Sequence, residues 1–239
     1  MKVQRYKHDL DVSYALGATL TFELLAQRPD LVTRVFLSSA TERSDAVERL
    51  QDICRRYDVP VETNDKAFNI LSPKGNCFVI GEFRKFAGTL SDASHIVLVN
   101  PSDAGNLGTI LRTATGFGVT DVAIVRPAVD VFDPKVIRAS MGAVFHTEIE
   151  YFDAIEDYRA RFPQRPLYAF MLKASTPLPE IPFEKPCSLV FGNEATGLPD
   201  RFAEFCMPVI IKHSHAIDSL NLPMAAGIAL YEFTKGRWK

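Results

Sequence analysis

Short apolar runs that alternate with helical patterns give residues 95–235 their character. Strand-like runs cover 95–99, 121–125, 143–149, 167–172, 188–191 and 208–211, and helical patterns cover 106–116, 153–162, 199–206 and 221–235. This alternation is typical of an α/β domain whose mostly parallel sheet is covered by helices on both faces. Ligands of such sheets bind at the carboxyl ends of the strands. Polar segments at those ends are therefore the first candidates for a functional site.

The N-terminal part of the chain predicts a smaller α/β unit. Helical spacing covers 11–27, a strand covers 34–37, Ser44 opens a second helix, and strands follow near 59–61 and over 76–83. A unit of this length is large enough to be a compact domain. The stretch 84–93 lacks apolar order and is interpreted as a linker. The chain is thus expected to divide into domains 1–88 and 89–239.

Composition and charge exclude several classes of protein. Hydrophobic residues make up 47% and charged residues 23%, which is typical of a globular chain rather than a disordered one. The formal net charge of −2 means that any nucleic acid would be bound by a local patch and not by the field of the whole molecule. The four cysteines form no C-x-x-C pair and are expected to be reduced thiols. Because no apolar run has signal-peptide or membrane-spanning length, we expect a cytoplasmic protein.

The first polar segment, Asn106-Leu-Gly-Thr-Ile-Leu-Arg112, opens a predicted helix that Asp103 or Asn106 can cap. Gly108 costs a helix about 1 kcal/mol relative to alanine, so its presence indicates close approach by a backbone or a ligand. Arg112 lies one turn beyond Gly108 and on the same face. It is either a solvated arginine or a fixed cation for phosphate or developing negative charge.

The second polar segment, Phe191-Gly-Asn-Glu-Ala-Thr-Gly197, follows the strand at 188–191. Its glycines allow a sharp turn that exposes backbone groups to a ligand. Glu194 is held beside them. That carboxylate is either a site residue, an exposed turn residue or a cap for the helix that follows.

The third polar segment, Ser219-Leu-Asn221, precedes the last predicted helix. Pro223 has no backbone N–H and must lie in the first turn of that helix. Asn221 is therefore expected near the N-cap, beside the unpaired N–H groups of the helix. Ser219 can present its hydroxyl to the same corner. Ordinary capping is the alternative role of both residues.

Together the three segments resemble the three sequence motifs of the SpoU/TrmH family, in the SPOUT superfamily of S-adenosylmethionine-dependent RNA methyltransferases. The matching text is N-L-G-T-I-L-R-T-A, L-V-F-G-N-E-A-T-G-L and I-D-S-L-N-L-P-M-A-A-G-I-A-L-Y-E. The stretch Ser140-Met-Gly-Ala143 is also similar to an S-x-G-A stretch of that family. Order and spacing agree over residues 95–235, which is far more specific than any single motif.

The resemblance implies a fold and a reaction. It implies an α/β-knot domain, with a mostly parallel sheet and a deep trefoil knot, that transfers methyl from S-adenosylmethionine to a ribose 2′-hydroxyl of RNA without a metal. The cofactor-binding positions implied are Gly192, Ile211 and Leu220. The positions implied near the chemistry are Asn106, Arg112, Glu194, Ser219 and Asn221. Members usually form homodimers through the knotted region, so a homodimer is expected here.

The N-terminal unit resembles the ribosomal-protein-like RNA-binding domain that often precedes this catalytic domain. Ribosomal RNA is therefore the expected substrate, and transfer RNA is the alternative. Candidate RNA contacts are Lys66, Lys74, Arg84 and Lys85, although such charges are more often solvated surface. A second alternative is an RNA-binding protein of the same fold that transfers no methyl. A dinucleotide enzyme is excluded, because no G-x-G-x-x-G follows the strand at 95–99.

Three features depart from the motifs of the family. Lys212 and His213 stand where many relatives have proline and methionine, and Pro223 replaces a small hydroxyl residue. These changes adjoin the expected cofactor pocket. His213 and His215 form an H-x-H pair near Asp218. A metal site is conceivable, but the two histidines are interpreted as loop residues or as contacts to an RNA phosphate.

Overall fold

A computed structural model describes residues 3–42, 44–72 and 77–237. The strands in chain order are β1 Val12–Leu16, β2 Val32–Leu37, β3 Val61–Thr63, β4 Val79–Arg84, β5 His95–Val99, β6 Asp121–Val125, β7 Glu148–Phe152, β8 Leu167–Phe170, β9 Thr176–Pro177, β10 Ser188–Phe191 and β11 Met207–Ile210. The helices are α1 Ala18–Gln27, α2 Asp45–Arg56, α3 Asp65–Leu71, α4 Ala104–Gly116, α5 Pro134–Ala139, α6 Ile155–Arg161 and α7 Leu222–Thr234. Among the residues described, no helix is both long and apolar enough to cross a bilayer.

The chain divides into two compact units. The first contains residues 1–86 together with 130–146, and the second contains 87–129 and 147–239. Of the N-terminal range 1–88 inferred from the sequence, residues 1–86 form the larger piece of the first unit, whereas 87 and 88 belong to the second. The additional segment 130–146 comes from the middle of the chain, and no sequence pattern indicated that it would join the first unit.

The first unit is built on a mixed four-stranded sheet in the order β1-β4-β2-β3. Strand β4 is antiparallel to β1 and β2, whereas β2 and β3 are parallel. Successive residues of β2 point to opposite faces. Val35 and Leu37 pack in one apolar cluster with Leu50 of α2, and Phe36 packs in another with Phe68 of α3. Both faces of this sheet are therefore buried.

The single helix predicted over 11–27 is wrong in its first half. Residues Val12–Leu16 form β1, and the helix begins only at Ala18. Gly17 separates the two elements with a φ of 113°, a conformation that glycine adopts at little cost. Four consecutive residues of this short strand are buried, so the sequence lacks the apolar-polar alternation expected of a strand. The apolar residues were therefore interpreted as helical spacing.

Segment 130–146 is fastened to the first unit by hydrogen bonds and aromatic contacts. The buried Ser13 hydroxyl donates to the carbonyl of Phe132 at 2.5 Å. Asp130 accepts from the Lys85 ammonium at 2.9 Å and from the Tyr6 hydroxyl. The ring of Phe83 meets the rings of Phe132 and Phe145 edge-on. The segment is thus an integral part of the core of this unit.

The second unit is built on a seven-stranded parallel sheet, which confirms the α/β class and the mostly parallel sheet. Its order is β7-β6-β5-β10-β8-β11-β9. Every recorded strand pair in this sheet is parallel. Strand β10 lies between β5 and β8, so the segment that follows it emerges at the middle of the sheet.

Several predicted boundaries need correction. The strand predicted over 143–149 is a 3-10 turn at Ala143–His146 followed by β7. The helix predicted over 199–206 is a 3-10 turn at Asp200–Glu204, which begins directly after Pro199. Helices α3 and α5 were not predicted, because helices of 7 and 6 residues are too short to show a clear periodicity.

A buried polar chain joins the start of β5 to its neighbours. His95 is fully buried, and its Nε2 lies 2.9 Å from the carbonyl of Ser91, to which only a ring N–H can donate. Nδ1 then accepts from the hydroxyl of Tyr158 at 2.7 Å, and Tyr158 also bonds Ser188 at 2.6 Å. Burial lowers the pKa of His95 from 6.5 to about 4. The imidazole is therefore neutral at physiological pH.

Candidate active site

A cavity of about 190 Å³ lies at the carboxyl ends of β8, β10 and β11. This position is where parallel sheets bind their ligands. The start of α7 contributes a further wall. The lining residues are Phe170, Met171, Leu172, the run 191–197, Val209, Ile210, Ile211, His213, Ser219, Leu220, Leu222 and Ala225. The second and third polar segments of the sequence thus meet at one cavity.

Glu194 is one of two described lining residues whose side chains make many hydrogen bonds, the other being Asn193. Its carboxylate accepts from the backbone N–H of Ser102 at 3.0 Å, the Ser102 hydroxyl at 2.8 Å and the N–H of Asp103 at 3.1 Å. The side-chain amide of Asn106 approaches it at 3.4 Å. These bonds attach the loop after β10 to the beginning of α4. The second polar segment is therefore tied to the first.

The pKa of Glu194 reflects these bonds. Burial raises it, but hydrogen bonds from its own backbone N–H, from the Ser102 hydroxyl and from the N–H groups of Ser102 and Asp103 outweigh the burial, so the pKa lies below its ordinary value. Glu194 is thus an ionised carboxylate at neutral pH. A group with a lowered pKa is a poor proton acceptor, so its geometry suits positioning and charge rather than general base catalysis.

The loop after β10 is itself closed by a very close backbone contact. A Cβ atom at Gly192 would lie 2.2 Å from the carbonyl carbon of Gly197. Gly197 has a φ of 66°, and its N–H donates to the carbonyl of Asn193 at 2.9 Å. The side chain of Asn193 donates to the carbonyl of Asn100 at 2.8 Å. Glycine is therefore required at position 192 by the loop, whatever ligand it meets.

The third polar segment forms the corner between the cavity and α7. Ser219 and Leu220 line the cavity, and Asn221 occupies the N-cap position of α7, as predicted. The Asn221 carbonyl accepts from the N–H of Ala225 at 3.0 Å, while its side chain makes no capping hydrogen bond. Pro223 lies in the first turn, also as predicted. The amide side chain of Asn221 is thus not consumed by the helix.

The first polar segment is placed differently from the other two. Asp103 caps α4 by accepting from the N–H of Asn106 at 2.8 Å. Asn106 reaches the site through Glu194 but does not line the cavity. Arg112 is exposed on α4, and within the described ranges of the chain no hydrogen bond or ion pair engages it. It is not among the residues that line the cavity.

The eight candidate residues therefore fall into two groups. The structure brings five of them to the cavity wall: Gly192, Glu194, Ile211, Ser219 and Leu220. Asn106 and Asn221 adjoin that group through a hydrogen bond and through the chain. Arg112 stands apart on the exposed surface of α4.

Sequence reasoning missed part of the wall. The apolar side formed by Phe170, Met171 and Leu172 was not assigned to the site, although it follows directly from the carboxyl end of β8. Ser102 was also missed, and its place just after β5 was the available signal. His213 lines the cavity. In the described parts of the chain, no group of three His, Cys, Asp or Glu residues is placed to hold a metal.

The lining suits a cationic nucleoside-like ligand. One wall is apolar, and the loop after β10 offers backbone polar groups beside it. Glu194 supplies a negative charge, and no lysine or arginine is found among the lining residues that the structure describes. The start of α7 at this wall is a place that can bind a phosphate, but the negative charge of Glu194 would repel one. An adenosine carrying a sulfonium fits this charge pattern better.

Comparison with known proteins finds relatives of this chain. The model of the SpoU rRNA Methylase family matches residues 93–231. A protein of Synechocystis described as an uncharacterized tRNA/rRNA methyltransferase is 34% identical over 60% of this chain and 53% of its own length. The 23S rRNA (uridine(2479)-2'-O)-methyltransferase of Streptomyces viridochromogenes is 30% identical over 64% of this chain and 53% of its own. The chain thus spans about half the length of these curated relatives.

One solved structure is similar over nearly the whole chain. It is the crystal structure of an AdoMet-bound rRNA methyltransferase from Sinorhizobium meliloti, with a TM-score of 0.81 and 26% identity. The match covers 96% of this chain and 88% of that one. The likeness therefore includes the N-terminal part of the chain as well as the region that the family model matches.

Proposed function

The chain belongs to the SpoU rRNA Methylase family, whose model matches more than half of it, and we propose that it transfers methyl from S-adenosylmethionine to a ribose 2′-hydroxyl of ribosomal RNA. The observation that carries this proposal is the convergence of the second and third motifs on one cavity with no lysine or arginine among its described lining residues. The Streptomyces viridochromogenes relative, a 23S rRNA 2'-O-methyltransferase, supports both the reaction and the substrate. The Sinorhizobium meliloti structure supports the cofactor.

The cofactor-binding residues in this proposal are Gly192, Ile211 and Leu220. All three line the cavity. A glycine loop and the irregular backbone after β11 leave N–H and C=O groups unpaired by the sheet, so they can bind the edge of an adenine and a ribose. The apolar wall at the end of β8 would cover the face of the base. S-adenosylmethionine, when bound, supplies an electrophilic methyl group on its sulfonium.

The residues beside the cavity orient the reaction. Glu194 keeps the loop after β10 attached to α4 and places a fixed negative charge at the cavity. Asn106 shares that carboxylate, so its amide is held in one orientation. Ser219 and Asn221 offer a hydroxyl and an amide at the corner where a ribose hydroxyl would enter. Holding two reactants in line is the main way in which such a site lowers the barrier.

Arg112 is proposed to bind an RNA phosphate next to the reacting ribose. Its guanidinium is exposed and engages no described side chain, so it loses no internal ion pair when it binds a phosphate. A planar, permanently charged group suits a phosphate and stabilises negative charge that develops on a hydroxyl losing its proton. The 2′-hydroxyl is also the group that distinguishes RNA from DNA.

Residues 1–88 are proposed to contribute the RNA-binding domain. Of the cations considered above, Lys85 pairs with Asp130 and Arg84 donates to the carbonyl of Asp30. Both therefore have structural roles in the first unit. Lys74 lies outside the described residues. Lys66 is exposed and remains the candidate in this set for contact with RNA.

A homodimer through the second unit is part of the proposal. Met224, Ile228 and Tyr231 are 61%, 38% and 60% exposed and follow one another at helical spacing on α7. Three large apolar side chains in one stripe are suited to burial against a second copy. Tyr231→Glu should therefore shift the protein from dimer to monomer in light scattering. Tyr57→Glu changes an exposed tyrosine of the first unit and should leave the oligomeric state unchanged.

Methyl transfer from labelled cofactor tests the main proposal. The purified protein is incubated with ribosomal RNA, transfer RNA and matched DNA, and modified positions are mapped as 2′-O-methyl groups. Label in ribosomal RNA is expected. Label in transfer RNA alone would favour the alternative substrate. RNA binding with no transfer to any RNA would favour a non-catalytic binding protein of the same fold.

A further inference from the structure

His213 is the one imidazole on the cavity wall among the residues described. The lining also contains the carboxylate of Glu194, whose lowered pKa keeps it ionised. His213 is not among the site positions that the resemblance implies.

The hydrogen bond of His213 defines its tautomer. Its Nδ1 lies 2.9 Å from the backbone carbonyl of Ile211. A carbonyl oxygen only accepts, so Nδ1 must carry the hydrogen. In the neutral imidazole, Nε2 is then an unprotonated acceptor. The same bond holds the ring against the backbone of Ile211, which is itself a lining residue.

We propose that Nε2 of His213 accepts a hydrogen bond from an O–H or N–H group of the adenosine part of the cofactor. The proposal rests on the proposed function, because it requires this cavity to bind S-adenosylmethionine. Adenosine offers donors in its ribose hydroxyls and its exocyclic amine. Besides the hydroxyls of Thr196 and Ser219, the wall offers few side-chain acceptors for these donors. The carboxylate of Glu194 already accepts from Ser102 and Asp103, and the amide oxygen of Asn193 accepts from Ala195 and Thr196.

The charged surroundings of His213 belong to two loops. Glu194 lines the same cavity from the loop after β10. Lys212, His215 and Asp218 share the loop of His213 and are all exposed. The lining residues contributed by β8, β11 and α7 carry no charge. The carboxylate of Glu194 is therefore the one charged side chain beside the imidazole among the described lining residues.

Calorimetry with S-adenosylhomocysteine tests the proposal on the full-length protein. His213→Phe removes the acceptor and should raise the dissociation constant about 3- to 10-fold, the effect of losing one net hydrogen bond. His213→Gln restores an acceptor near the place of Nε2 and should recover most of the affinity. His215→Phe removes an exposed histidine of the same loop that does not line the cavity and should bind like the parent.

A second arm varies the ligand. If His213→Phe is not folded by circular dichroism, His213→Met, which also lacks the imidazole acceptor, takes its place in the comparison with parent and His213→Gln. Ligands that lack the exocyclic amine or one ribose hydroxyl identify the donor, since removing the correct group abolishes the effect of His213→Phe.

The outcomes separate the two proposals. A parent protein that binds no S-adenosylhomocysteine would overturn both the proposed function and the role of His213. A parent that binds well, with His213→Phe unchanged in affinity, would overturn the role of His213 alone.

Discussion

Protonation of His95 should make the protein lose stability in mild acid. Burial holds the pKa of His95 at about 4 in the folded protein, against 6.5 for an unburied histidine. Between pH 6.5 and pH 4 the imidazole is protonated in the unfolded chain but neutral in the folded chain. The free energy of unfolding therefore falls as the pH drops from 6.5 towards 4. The two pKa values differ by about 2.5. Because one pKa unit corresponds to about 1.36 kcal/mol, the free energy of unfolding falls by about 3.4 kcal/mol over the whole interval.

Urea unfolding of the parent and of His95→Gln measures this contribution. The glutamine cannot titrate, so the parent should lose about 1.8 kcal/mol more than the variant between pH 7 and pH 5. The absolute stability of the variant will be lower, because its amide cannot reproduce both bonds of His95 to Ser91 and Tyr158. Only the difference in pH dependence is therefore diagnostic. His215→Gln, which replaces an exposed histidine, controls for the loss of a histidine as such.

Equal pH dependence of parent and His95→Gln would refute this reasoning. It would mean that water or a rearranged Arg165, whose guanidinium contacts the carbonyl of Ala93, lets the imidazole ionise inside the fold. A loss confined to pH values below 4 would refute it equally, since the unfolded chain takes up its proton near pH 6.5.

Three further substitutions test the site. Arg112→Ala should lower the rate of methyl transfer about 100-fold or more while cofactor affinity is retained, since a charge that acts on the transition state is lost. Arg112→Lys is the matched variant, because it keeps the charge without the planar guanidinium. Equal turnover in Arg112→Ala and parent would remove Arg112 from the mechanism. Gly192→Ala should cost about 1–3 kcal/mol of stability, because its Cβ would meet the backbone of Gly197. The control Gly116→Ala should not destabilise the protein, because its Cβ would meet nothing within 4 Å. Similar melting temperatures for the two variants would contradict the loop geometry. Glu194→Gln should weaken cofactor binding about tenfold, because it weakens the hydrogen bonds that hold the loop after β10 to Ser102 and Asp103. The control is Glu156→Gln, which removes one partner of an exposed ion pair with Arg201. Unchanged binding in Glu194→Gln would show that these hydrogen bonds are not needed for cofactor binding.

The second unit was readable from the sequence because its strands are buried on both faces. Runs such as Val97 and Leu98, or Leu189 and Val190, are apolar at successive positions and stand out from the helices between them. The common location of the polar segments could be predicted for a related reason, since the carboxyl ends of parallel strands lie at the same edge of a sheet. A knot leaves no periodic signal in a sequence, so the knot stays a prediction from the resemblance alone.

Other features depend on contacts between residues far apart in the chain. The partners of Glu194 at Ser102 and Asp103 are about ninety residues away, with separations of 92 and 91, and no local pattern indicates such a bond. The wall at Phe170 to Leu172 was read only as the end of a strand, because apolar residues there serve core and ligand equally well. Residues of this kind become recognisable only when the neighbouring strand ends are known.

The two-part composition of the first unit decides how its role in RNA binding can be tested. Deleting residues 1–88 is the obvious experiment on the sequence, but it would remove Phe83 and Ser13 while leaving Phe132 and Phe145, which are now buried against them. Apolar side chains left without their cover favour aggregation. A loss of RNA binding in such a truncated protein would therefore report misfolding as readily as a missing RNA-binding surface.

Surface substitution in the intact chain avoids this ambiguity. Lys66→Glu reverses the charge of an exposed residue of α3 without disturbing the contacts that hold segment 130–146. If the first unit binds RNA through this face, RNA affinity at fixed salt should fall and the salt dependence of binding should become shallower, because one phosphate contact is lost. Cofactor affinity should stay the same, since Lys66 belongs to the first unit and the cavity to the second. RNA affinity that does not change would contradict the assignment of this face to RNA.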